Sequence, residues 1–210
     1  MSTFNDNLLW RYATKAFDPA KKLSEEQLNS LLESTRLTAT SYGLQPFRVL
    51  VITDPALRAQ LREKAWGQSQ LTDASHLIVL CALKHIGEEY VDSYIAHVAS
   101  QRGVTTEALK GYRDMMASFA QGMPPEALAT WMQKQTYIAL GFLLCAAADA
   151  HIDACPMEGF DKQAFDEILG LDAKNLTSVA LCPLGFRSAD DATAAYPKAR
   201  FPMEELVIRM

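Results

Sequence analysis

The chain is predicted to fold as a sheet flanked by helices, of the α/β or α+β class, on three observations. Phe47 to Ile52 and Thr177 to Leu184 are short runs rich in β-branched and aliphatic residues, with the length and bounds of strands. Ser24-Glu25-Glu26-Gln27 has the pattern of a capping box that opens a helix. Tyr137 to Ala148 is an apolar run closed by Asp149, too short to cross a bilayer and suited to a buried helix.

Taken in order, Ser24 caps a helix from about Glu25 to Thr35, with Gln27 reaching back and Leu23 stapling onto Leu28. Phe47 to Ile52 follows as a strand ended by a turn at Asp54-Pro55. His76 to Leu83 is apolar on both faces, which predicts a central strand. From Gly87 to about Gln121 the pattern is helical, broken near Gly103 and restarted at Thr105 or Thr106. Pro124-Pro125 opens a long helix to about Ala150, because proline is tolerated in a first turn whose N–H groups lack partners anyway. Its second half is apolar nearly all round and is expected to be buried on every side, between subunits. Ile152 to Pro156 reads as a short strand. Asp161 then caps a helix with Phe160 stapled to Phe165, and Leu206 to Arg209 reads as a terminal strand.

Composition narrows the function. With 210 residues, 49% hydrophobic and 21% charged, the chain can build one substantial core, and no linker or repeat divides residues 1–210 into two domains. A net charge of −5 argues against nucleic acid, which needs a basic face. No basic start leads into an apolar segment, so a cytoplasmic protein without a membrane partner is expected. Cys81, Cys145, Cys155 and Cys182 form no Cys-x-x-Cys pair, and His76, His85, His97 and His151 show no ligand spacing, so no metal site is expected. The absence of Gly-x-Gly removes the dinucleotide fingerprint and the phosphate loop, and the absence of Gly-x-Ser-x-Gly removes the hydrolase elbow.

Four segments carry the positive case. Arg11 and Lys15 stand in Arg-Tyr-Ala-Thr-Lys near the start, and Lys198 and Arg200 in Pro-Lys-Ala-Arg near the finish. Alone each pair is a solvated charged turn; brought together they make an anion pocket, most plausibly for phosphate. Between them lie the turn-rich Thr40-Ser41-Tyr42-Gly43-Leu44-Gln45-Pro46 and a second turn, Pro156-Met157-Glu158-Gly159.

In order and spacing, from about Leu9 to Pro202, these segments resemble the FMN-dependent nitroreductase family, close to its oxygen-insensitive NAD(P)H-dependent members. The resemblance implies a nitroreductase-like α+β fold, a central mixed β-sheet flanked by helices, in an intertwined homodimer with FMN at the interface. It implies that NADH or NADPH reduces FMN by hydride transfer and that a small-molecule electron acceptor, such as a nitroaromatic or quinone, then takes its place. Rival functions are another reaction on the same fold (pteridine reduction, reductive dehalogenation) and a dimeric flavin-binding protein without turnover.

Site roles follow from the resemblance residue by residue. Arg11, with Tyr12 and Ala13 beside it, opens the flavin site and binds the phosphate. Lys15 lies near the pyrimidine edge, where a cation stabilises negative charge on the reduced ring. Thr40, Ser41 and Gly43 approach FMN from the neighbouring subunit. Gln68 and Gln70, ahead of Asp73-Ala74-Ser75-His76, fall where the family presents amides or a lysine to the ring and ribityl chain. Pro156, Met157, Glu158 and Gly159 place backbone against the flavin, the Glu158 amide donating to N5, and Lys198 and Arg200 complete the phosphate clamp. No side chain acts as a nucleophile or acid–base catalyst; Lys15 and Glu158 tune the flavin. Met115, Met116 and Phe119 are candidates for lining the acceptor pocket. Two positions depart from the family: Ala13 stands where many relatives carry serine, removing a phosphate hydrogen bond of about 0.5–1.5 kcal/mol net, and Gly43 stands where many carry asparagine.

Overall fold

The computed structural model describes residues 3–210. Helix α1 (Phe4–Trp10) and α2 (Glu25–Arg36) precede β1 (Phe47–Ile52), α3 (Pro55–Glu63), the single turn α4 (Gln70–Asp73) and β2 (His76–Leu83). An excursion of α5 (Glu88–Arg102) and α6 (Lys110–Gly122) leads into α7 (Pro125–Asp149). The chain continues through β3 (Asp153–Ala154), α8 (Lys162–Ile168), β4 (Leu176–Gly185) and α9 (Met203–Leu206).

Local chemistry sets the helix bounds. Ser24 Oγ accepts from Gln27 N at 3.1 Å while Gln27 Oε1 accepts from Ser24 N at 2.9 Å, so two otherwise orphaned donors at the start of α2 are satisfied. Gly103 closes α5 in the left-handed region at φ 65°, and Thr105 accepts from Ala108 N to restart the chain toward α6. Asp161 caps α8, and the Phe160 and Phe165 rings meet at 4.6 Å.

The sheet order is β1-β2-β4-β3. All three strand pairs are antiparallel, and parallel pairing is confined to the isolated bridge Ala13–Ala154, which brings the segment after α1 beside β3. Every residue of β2 is buried, as a central strand requires. Its side chains divide by parity. Leu77, Val79 and Cys81 join the layer built from α3, α5, α6 and α8, whereas Ile78 and Leu80 join Leu28 and Leu31 of α2 and Leu140, Leu143 and Ala147 of α7. Each fully buried Leu or Phe here contributes ~1.5–3 kcal/mol relative to exposure.

Two expectations are corrected. Asp54-Pro55 is no simple turn: Asp54 caps α3 through Leu57 N at 2.7 Å and Pro55 takes the first helical position, where its missing N–H costs nothing. Among the described residues the expected strand at Leu206 to Arg209 pairs with no neighbour; α9 takes Leu206, and Val207, Ile208 and Met210 stay exposed. Within one chain, α2 and the sheet shield one face of the second half of α7 and leave Tyr137, Ile138 and Phe142 exposed at 38%, 42% and 44%.

Candidate functional site

The segment after α1 runs extended, and its side chains alternate. Tyr12 and Thr14 point to two buried carboxylates: Tyr12 Oη donates to Asp191 at 2.9 Å and Thr14 Oγ1 to Asp153 at 3.3 Å. By the same alternation Arg11, Ala13 and Lys15 belong to the opposite side. Asp191 also accepts from the backbone N–H groups of Lys15, Ala16 and Thr193. Burial alone would raise its carboxyl pKa; these donors and Tyr12 outweigh that and hold it below the ordinary value.

Asp153 anchors Arg187 through the Arg187 backbone N–H and Nε, both at 2.8 Å. Nη2 comes within 2.6 Å of Asp153 Oδ1 but off the hydrogen-bonding direction, so the charge is paired while that N–H is left without an acceptor. The Arg187 guanidinium carbon lies 4.3 Å from the Trp10 ring centroid and 4.5 Å from that of Tyr12, within cation–π range. Sequence reasoning missed this buttress of Trp10, Arg187, Asp153 and Asp191. Its one visible signal was an aspartate inside the apolar stretch Ile152 to Cys155, a charge that needs a partner when buried.

In front of the buttress opens a cavity of about 480 Å³ lined by Trp10, Arg11, Tyr12, Ala13, Pro156 and the Thr193-to-Arg200 segment. The two ends of the chain therefore meet. Lys198 Nζ donates to the Arg11 carbonyl, and among the described residues no carboxylate lies within ion-pair distance of Arg11, Lys198 or Arg200. Burial is the main cause lowering the Arg11 pKa; Cys182 opposes it and Arg200 adds to it. Lys198 is lowered by burial first, then by Arg11 and Arg200. Clustered cations without a counter-charge form a site that gains when an anion enters.

The Pro156-Met157-Glu158-Gly159 turn shares this cavity through Pro156. Met157 is committed to structure, exchanging both backbone hydrogen bonds with Leu181 and burying its side chain in the core. The next two residues differ: among the described residues no protein group accepts from the N–H of Glu158 or Gly159. The Glu158 side chain is held aside by Tyr137 Oη at 2.5 Å, and burial together with this carboxylate pushes the Tyr137 hydroxyl up to about 12. A Cβ on Gly159 would meet the Trp66 ring, which is exposed and would have to swing aside to admit a larger residue. Gln68 Nε2 donates to the carbonyls of Ala65 and Gly159, tying the two loops together. Gln70 is buried close by in sequence. Exposed Lys15 does not line the cavity, but its positive charge is felt at the Cys155 thiol.

The remaining candidates lie apart from this cavity in a single chain. Thr40, Ser41 and Gly43 form a loop between α2 and β1. Of the excursion residues, Met115 is exposed, and Phe119 packs against Tyr42 and Trp131 at 4.9 and 5.2 Å. Met116, on the inward face of α6, is fully buried among core residues in the single chain.

A phosphate-bearing cofactor fits these residues, because three cations without a carboxylate partner line the cavity and two unpaired N–H groups mark the adjoining turn. Comparison with known proteins agrees. A sequence model described as the nitroreductase family matches residues 8–186. A Staphylococcus aureus (strain N315) protein provisionally named an NAD(P)H nitroreductase is 37% identical over 202 residues, spanning 90% of this chain and 91% of its own. Among solved structures, a provisionally assigned nitroreductase of Bacillus subtilis superposes with a TM-score of 0.88 at 20% identity, covering 99% of this chain and 98% of that one. A provisionally assigned nitroreductase of Exiguobacterium sibiricum, solved in complex with FMN, gives 0.84 at 21%, covering 100% and 98%. The two superpositions speak for the fold, whereas the family match and the 37% identity speak for descent, and on these the chain belongs to the nitroreductase family.

Proposed function

We propose that this chain is an FMN-dependent oxidoreductase that takes hydride from NADH or NADPH and delivers it by a ping-pong mechanism to nitroaromatic, quinone or similar small acceptors. The observation that carries this reading is the meeting of Arg11, Lys198 and Arg200, without a carboxylate, beside a turn whose Glu158 and Gly159 N–H groups are unpaired. Arg11, Lys198 and Arg200 bind the phosphate. The Glu158 N–H orients the ring at N5, and Lys15 places positive charge where the ring gains electrons. The flavin supplies the electron-transfer chemistry; the chain supplies binding, orientation and charge.

The working unit in this reading is a homodimer. Tyr137, Ile138 and Phe142 on α7 and the apolar tail from Phe201 to Met210 are exposed in one chain, and a second copy covers them. That assembly also carries Thr40, Ser41 and Gly43 to the partner's cofactor. Purified protein is expected to be yellow, to release FMN and not FAD on denaturation, and to bleach on anaerobic mixing with NADH or NADPH. Stoichiometric FAD, or no flavin after incubation with FMN, refutes the reading, and a folded monomer that keeps FMN on dilution refutes the shared site. A stopped-flow comparison of NADH with NADPH, followed by an acceptor panel, names the substrates.

A further inference from the structure

The loop at residues 40–45 is held in a costly shape. Tyr42, Gly43 and Gln45 lie in the left-handed region at φ 57°, 71° and 44°, and two of the three carry a Cβ that disfavours it. Its own polar groups turn mostly inward: Thr40 O accepts from Gly43 N, Ser41 O from Leu44 N, and Thr40 Oγ1 from Gln45 N. Ser41 N donates to Gln135 Oε1 of α7 at 2.9 Å.

What over-determines this shape comes from the excursion. Tyr90 Oη on α5 donates to the carbonyls of Leu44 and Gln45 at 2.8 and 3.0 Å, and Tyr112 Oη on α6 donates to that of Tyr42 at 2.7 Å. Between them, the Tyr94 hydroxyl occupies the place a Cβ on residue 43 would take. Glycine stands at 43 for two independent reasons, its positive φ and this hydroxyl. Among the described residues no protein group hydrogen-bonds the Ser41 hydroxyl, which leaves it free for a ligand.

We infer that Tyr90, Tyr94 and Tyr112 form a hydroxyl clamp that positions the 40–45 loop for the cofactor. The excursion, which also carries the acceptor-pocket candidates Met115 and Phe119, is thereby also a scaffold for cofactor binding. The inference rests on the assignment of Thr40, Ser41 and Gly43 to FMN made above. These tyrosines are positioning residues: none is placed against the flavin, and each acts through the backbone of the loop. Removing the Tyr90 and Tyr112 hydroxyls lets the strained residues relax toward ordinary φ, so the binding-competent loop becomes a smaller fraction of the population and apparent affinity falls in proportion.

The test uses the holoenzyme and reads FMN retention by recovery of free-flavin fluorescence. The double variant Y90F/Y112F is expected to hold FMN about tenfold more weakly, as loss of neutral hydrogen bonds of about 0.5–1.5 kcal/mol each predicts. The rate of reduction by NAD(P)H in flavin-saturated protein should stay within about twofold of wild type, because the lost interaction is uniform through the reaction. Gly43→Ala is expected to lose FMN, and adding Tyr94→Phe should restore part of it, since the clashing oxygen is gone while the φ strain persists. That recovery shows that the Tyr94 hydroxyl abuts residue 43; should the double variant fold poorly, the single variants Tyr90→Phe and Tyr112→Phe, each expected to weaken FMN about threefold, decide the clamp. Unchanged retention in folded Y90F/Y112F, or no recovery in G43A/Y94F, overturns the clamp. Should Ser41→Ala weaken FMN while the tyrosine variants do not, the cofactor loop stands and the clamp alone falls; a wild-type protein that holds no FMN overturns both.

Discussion

Two groups of charge lie back to back at the junction of the chain's ends, and they are built on opposite rules. Behind the extended segment, Asp153 and Asp191 are met by Arg187, Tyr12, Thr14 and four backbone N–H groups. In front, Arg11, Lys198 and Arg200 face a cavity and have no carboxylate partner among the described residues. Neighbours in sequence are put to different use: both line the cavity, but Arg11 has no carboxylate partner while the Tyr12 hydroxyl is tied to Asp191. The closed group spends its charge on fixing the backbone; the open one keeps its charge for a ligand. A satisfied charge network reads as architecture, and an unsatisfied neighbour as a candidate binding site.

The largest effect is expected at the closed group. Asp153→Ala strands the Arg187 charge and removes the acceptor of Thr14, so stability should fall by about 3 kcal/mol, the lower end for a broken buried pair because Arg187 stays a quarter exposed. Chemical denaturation measures this, and a loss under about 1 kcal/mol would show that the buttress is dispensable.

A weaker but more telling effect is expected at the open group. Arg200→Ala should leave fold stability unchanged and weaken FMN binding roughly ten- to hundredfold, the worth of one charge-assisted hydrogen bond. Hydride transfer in flavin-saturated Arg200→Ala should be near normal, because the phosphate lies remote from the reacting ring and its binding is uniform. Lys15→Ala should instead slow reduction itself. Equal slowing in both variants erases the division of labour between the two cations.

The smallest effect separates the groups by pH. The folded-state pKa of Asp191 lies below its unfolded value of about 3.9, so its contribution is fully present above that pH and is lost as pH falls through the depressed folded value. Asp191→Asn should cost about 1 kcal/mol at neutral pH and flatten the stability curve below about pH 4. An unchanged acid slope in the variant means that these hydrogen bonds contribute nothing.

Much of this was legible in the residues, and what was missed has physical reasons. Local signals were reliable where chemistry within four residues decides the outcome, as at Ser24 with Gln27 or Asp161 with Ala164. They misjudged Asp54-Pro55, because cap and turn share the same first residues and only the α3 face, with Arg58 buried and donating to the carbonyls of Leu71, Ala74 and Ser75, tells them apart. The basic pairs Arg11 with Lys15 and Lys198 with Arg200 were visible as pairs. The approach of Arg11 to Lys198 and Arg200 is a property of the fold, as is the partnership of Asp153 in β3 with Arg187 just past β4. Met115 and Met116 show the limit most plainly: adjacent and chemically identical, one faces solvent and the other the core.

The contact between Lys198 and the Arg11 carbonyl joins residues 187 apart. On a ribosome, where chains emerge amino end first, Arg11 is made well before its partner Lys198. The buttress, whose latest member is Asp191, can be assembled before the clamp is. In the proposed reading, cofactor capture therefore waits for Lys198 to emerge, long after Arg11 has.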